Sequence, residues 1–167
     1  LNSTAIPQLL GRGLTLGHGS AATQLMIGRM ATMTILNEAV LQGSSLYATR
    51  NDPSPHGVGF VSWEEVGMHG MALAGGVFSG YAPTMANFGK LPTATPLINF
   101  IGKVGSSTAT WGEIFLVSGV TSDALFAGQA PTLESTWGYY SSGLATGAIT
   151  GALSGAMSWN RTGPVKL

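Results

Sequence analysis

The chain has 167 residues, seven Lys and Arg against seven Asp and Glu, a formal net charge of zero, and no cysteine. Zero net charge gives no electrostatic footing for nucleic acid, and the missing cysteines exclude disulfides and thiolate metal sites. Charged residues make up 8% of the chain, against about 25% in ordinary soluble domains, so a wholly water-facing surface of this composition would be poorly solvated.

Residues 1–60 read as an N-terminal segment. Gly11, Gly13, Gly17 and Gly19 make its first 20 positions irregular, with Pro7 opening a turn or short helix. A helix is predicted over about 21–45, rich in Ala, Met, Leu and Ile but carrying Arg29 and Glu38 and lacking a clean apolar stripe. Asn51-Asp52-Pro53 and Pro55 mark a loop over 48–62. Ser62 followed by Glu65 has the spacing of a capping box.

Residues 61–167 read as a membrane domain with helices over about 63–81, 111–127 and 135–159. From Val66 to Gly89 no residue carries a formal charge apart from one imidazole, and from Ser135 to Asn160 none does. Each stretch exceeds the roughly 20 residues that cross a bilayer as helix. Gly143, Gly147, Gly151 and Gly155 recur every fourth residue, a small-residue stripe of the kind that lets helices approach closely in lipid. Trp137, Tyr139, Tyr140 and Trp159 flank this last span as interfacial aromatics do. Residues 82–110, with Pro83, Pro92 and Pro96, are expected to connect the first span to the middle helix, Leu97–Ile101 forming a short surface helix within them. Glu113 and Asp123 fall inside the middle helix, where unpaired charge in hydrocarbon is costly. The expected fold is therefore all-α and polytopic, with about three transmembrane helices after the N-terminal segment. A soluble glycine-rich β or repeat protein is the alternative.

The residue that points to chemistry is His69, set between Gly67 and Gly70 with Glu64 and Glu65 just upstream. A neutral imidazole on a glycine-lined helix is a suitable axial ligand for a metal whose other positions are filled, such as chlorophyll magnesium. A hydrogen bond from His69 to a neighbouring carbonyl is the bland alternative. His18 and His56 lie in loop-like contexts. No nucleophile is paired with a base, no phosphate loop carries its Lys, and no calcium loop is present, so the sequence does not read as an enzyme.

Glu64-Glu65-Val66-Gly67-Met68-His69-Gly70-Met71-Ala72-Leu73 resembles the start of the first membrane helix of the photosystem I reaction-centre subunit XI (L subunit) family. Ser135-Thr136-Trp137-Gly138-Tyr139-Tyr140, running into the Gly/Ala-rich stretch, resembles that family's last helix, and order and spacing agree as well as letters. The resemblance implies a structural subunit at the periphery of a photosystem I core in a thylakoid, in the plastid of an alga. It implies bound chlorophyll a and carotenoid, with His69 as magnesium ligand and Glu64 and Glu65 as further cofactor-binding candidates. Its partners would be other core subunits, antenna proteins and lipids, and not nucleic acid. Ile27-Gly28-Arg29-Met30-Ala31 more weakly resembles the core of light-harvesting chlorophyll-binding helices, in which an upstream Glu pairs with the Arg; here that position is uncharged. A non-pigmented coat or filament subunit, its low charge explained by burial in an assembly, is the reading from a different class.

Overall fold

The computed structural model describes residues 4–91 and 95–161, with the backbone alone for 159–161. The side chain of Trp159, Pro92 and the tail 162–167 lie outside the described residues. The described chain is helical with short connections: α1 (Ala5–Leu14), α2 (Ala21–Ala48), α3 (Trp63–Ala86), α4 (Pro96–Ser122) and α5 (Leu133–Arg161), with a 3₁₀ turn at Phe88–Lys90 and a π turn at Asp123–Ala127.

The all-α expectation agrees with this fold, but the membrane-spanning one is overturned. Among the described residues no helix is long and apolar enough to cross a membrane. The 29 residues of α5 would exceed a bilayer core of about 30 Å at about 1.5 Å per residue. Length is therefore not what fails. The helix is built of Gly, Ala, Ser and Thr, and lack of charge is not the same as preference for hydrocarbon. Such residues gain little on transfer to lipid, unlike the Leu, Ile, Phe and Val of a true span.

Element boundaries also shift. The turn or short helix expected at Pro7 is the ten-residue helix α1, which also takes in Gly11 and Gly13 of the stretch expected to be irregular. α3 runs past Pro83 to Ala86; the proline leaves the Ser79 carbonyl without its helical donor, while Asn87 Nδ2 donates to Pro83 O at 2.8 Å. α4 begins at Pro96, the favoured first position, with Thr95 Oγ1 accepting from Ile98 N at 3.3 Å. The expected connection and middle helix are thus largely one element.

Each helix lies antiparallel against the next, and bare glycine backbone makes the close approaches. A Cβ on Gly28 would collide with Pro7 of α1, one on Gly76 with Thr34 of α2, and one on Gly80 with Met30 of α2. The four-residue glycine stripe of α5 faces α4: a Cβ at Gly147 would fall 2.5 Å from Ser107 O and 2.5 Å from Thr108 Cα, and one at Gly151 2.7 Å from Val104 Cα. The stripe is therefore filled by the chain's own α4, not by a neighbouring subunit or a pigment ring.

The up-and-down order places the loop 49–62, the C-termini of α2 and α4 and the N-termini of α3 and α5 at one end of the bundle. Leu41, Val58, Met68 and Ala72 form the core near that end; Leu116, Val120 and Tyr140 form a second cluster, and Ala82, Met85 and Ala109 a third.

Candidate functional site

The sequence-nominated residues converge on the N-terminus of α3, but their atoms are committed to holding the loop. Ser62 caps α3 by accepting from Glu65 N at 3.1 Å. Glu65 turns back to accept from Val61 N at 2.8 Å, Ser62 N at 3.0 Å and Gly59 N at 3.3 Å. These donors, the Val61 N–H first, hold its carboxyl below the ordinary range even against its desolvation. Glu64 reaches across to α5, accepting from Leu133 N at 3.2 Å. Both glutamates satisfy helix-end or loop N–H groups that would otherwise lack partners.

His69 lies beneath this loop. Its Nε2 donates to Gly59 O at 2.9 Å, and its Nδ1 forms an ion pair with Glu38 Oε1 of α2 at 2.7 Å. The Phe60 ring stacks on it, centroids 3.9 Å apart and planes 13° from parallel. A carbonyl and a carboxylate both accept, so the two contacts together need a proton on each nitrogen, the imidazolium. Burial alone would lower the pKa, but Glu38 and the carbonyls of Gly59 and Val58 outweigh it and hold the imidazole above its ordinary range.

This arrangement does not fit an axial magnesium ligand. Neither nitrogen presents a lone pair, and Phe60 covers the ring face. The observed role is the carbonyl hydrogen bond weighed as the alternative, though the carbonyl belongs to a loop rather than to a helix. Among the described residues no group of three or more His, Asp or Glu is placed to hold a metal ion. His18 and His56 are exposed. The backbone of His56 tethers the loop, its carbonyl accepting from Ser45 Oγ at 3.0 Å and Thr49 Oγ1 at 3.1 Å.

Sequence reasoning missed a second polar centre, deeper in the bundle. Asn37 of α2 and Glu113 of α4 are 3% and 7% exposed. Asn37 Nδ2 donates to Glu113 Oε2 at 3.0 Å and to Ala72 O of α3 at 3.2 Å, tying three helices together. Asn37 Oδ1 and Glu113 Oε1 have no hydrogen-bond partner among the described residues. Burial raises the Glu113 carboxyl above its usual range, partly offset by Asn37 and Ser79. The sequence signal was Glu113 inside a largely apolar helix, which does not reveal its partner.

Around these centres run open apolar grooves. One of about 510 Å³ lies between α2 and α4, bordered by Leu36, Ile114, Val117 and Phe126. Another, of about 610 Å³, is framed by Trp63, Met71, Leu133 and Trp137. Arg29 has no carboxylate in ion-pair range among the described residues, so the Glu–Arg pair of a light-harvesting helix is not formed here. No protein-family model, curated protein or solved structure matches the chain.

Proposed function

We propose that the chain is a structural, non-catalytic subunit of a large chlorophyll-bearing assembly of the photosystem I kind, in the thylakoid of an algal plastid. It docks at the periphery of that assembly through the sides and one end of its helical bundle. The observation that carries this reading is the distribution of exposed apolar side chains. Phe60, Val61, Trp63 and Phe126 are 71%, 95%, 89% and 87% exposed, and with Trp137 they crowd the end where the loop 49–62 lies. On α5, Ile149, Leu153 and Met157 are more than half exposed and recur every fourth residue on a face other than the glycine stripe. Covering one such side chain contributes about 1.5–3 kcal/mol, and apolar patches of this kind mark interaction surfaces. The resemblance to the subunit XI family names the assembly. The groove framed by Trp63, Met71, Leu133 and Trp137, not His69, is the place with room for a chlorophyll or carotenoid ring.

The engagement of both His69 nitrogens favours a second reading, a non-pigmented subunit of a coat or filament. Gentle isolation of the tagged chain from its source separates the two. The proposal predicts a particle far larger than the 17.1 kDa chain with the red absorption band of chlorophyll. A large colourless particle supports the second reading and rejects the first. A free chain, monodisperse in buffer, rejects both.

A further inference from the structure

The hollow between α1, α2 and α3 has a chemistry that the docking role does not use. It measures about 300 Å³ and is bordered by Pro7, Arg29, Thr32, Met33, Ser79 and Pro83. Arg29 is half-buried there, and among the described residues it has neither an ion-pair partner nor a hydrogen-bond acceptor. A guanidinium carries five donors and keeps its charge, so a half-buried one without an anion is an incomplete site. The hydroxyls beside it already donate inward, Thr32 to Gly28 O at 2.7 Å and Ser79 to Gly76 O at 3.3 Å. Their oxygens retain lone pairs that accept from a ligand hydroxyl.

The hollow does not stand alone. Met33 borders both it and the 510 Å³ groove between α2 and α4. Arg29, Met33 and Leu36 stand at i, i+4 and i+7 of α2, one face of a helix spanning about 10 Å. A cationic, hydroxyl-lined hollow therefore adjoins, at Met33, a largely apolar trough walled by Leu36, Ile114, Val117 and Phe126. The carboxyl bordering the trough, Glu113, is buried, and that burial raises its pKa.

We propose that the hollow and the adjoining trough together bind an anionic lipid, its phosphate on Arg29, its head-group hydroxyl on Thr32 or Ser79, and one acyl chain along Met33, Leu36 and Val117. The polarity of the cleft fixes the orientation. An anion without a tail leaves the trough empty, and a lipid without a phosphate leaves the guanidinium unpaired.

The test titrates the full chain, in uncharged detergent micelles, with phosphatidylglycerol and with diacylglycerol of identical acyl chains, which lacks the phosphate, bound lipid being counted by native mass spectrometry. Phosphatidylglycerol should bind about tenfold more tightly, the factor expected of one charge-assisted hydrogen bond. Arg29→Gln should abolish that preference and leave diacylglycerol binding unchanged, Arg29→Lys should keep most of it, and Val117→Trp should weaken both lipids alike. Equal binding of the two lipids, a preference that survives Arg29→Gln, or full displacement of the lipid by equimolar inorganic phosphate would each overturn the proposal. The wild-type comparison and Val117→Trp decide the matter even if Arg29→Gln fails to fold. Because the assay uses the isolated chain, its failure is independent of the photosystem reading.

Discussion

Gly147→Ala isolates the contact that holds α4 to α5. The added methyl would lie 2.5 Å from Ser107 O, 2.5 Å from Thr108 Cα and 2.9 Å from Ser107 C. All three are backbone atoms of a helix interior, so no side chain can rotate away and the helices must separate. Overpacking of this kind costs about 1–3 kcal/mol, and the better helix propensity of Ala returns about 1 kcal/mol. The net loss is about 1–2 kcal/mol at the upper part of that range, or a fall in Tm of about 2–8 °C at this chain length. Gly138→Ala supplies the control. It lies in the same helix, a Cβ there meets nothing within 4 Å, and it should gain about 0.5–1 kcal/mol. Thermal unfolding followed by far-ultraviolet circular dichroism reads both. Equal and same-signed shifts would refute the packing of the stripe onto α4, and a Gly147→Ala variant as stable as the native chain would refute the close approach itself.

Other substitutions probe the polar centres. His69→Leu should leave the pigment content of the isolated particle unchanged by chromatography, because both ring nitrogens are engaged, while lowering Tm through the stranded Glu38; loss of one pigment would contradict the geometry. The raised pKa of His69 makes its contribution complete below the ordinary value near 6.5 and lost as pH rises through the raised one. For Glu113 the neutral form is the favoured one, so its contribution is complete below the ordinary carboxyl range and is likewise lost as pH rises. Stability should therefore fall as pH rises above the ordinary carboxyl range, and Glu113→Gln should flatten that fall; an unchanged slope in denaturant titrations across pH would show that Glu113 ionises freely. Ser62→Ala should cost about 1 kcal/mol by loss of the cap, read in the same titrations, and no change would mean that α3 starts elsewhere.

The helices were legible in the sequence where local chemistry speaks for itself. Ser62 and Glu65 announce the start of α3, and the structure forms that capping box. The α4 start was hidden because Pro96 reads as a breaker in a proline-rich stretch, although proline suits a first helical turn. The membrane reading failed because absence of charge was taken for hydrophobicity, whereas Gly, Ser and Thr here serve close packing between the chain's own helices. His69 was singled out correctly as an ionisable group needing a partner, but its partners, Glu38 and the Gly59 carbonyl, lie 31 and 10 positions away in the chain. Spacing along one helix cannot show contacts of that kind. The same holds for Asn37 and Glu113, separated by 76 positions.

The central claim, that neighbours cover the apolar end and the outer face of α5, is tested most directly by oxidative footprinting of the chain inside its native particle and after release from it. Trp63, Phe126 and Met157 should be strongly protected in the particle and labelled on release, while the buried Tyr140 stays protected in both. Equal labelling of Trp63, Phe126 and Met157 in the two states would contradict the account.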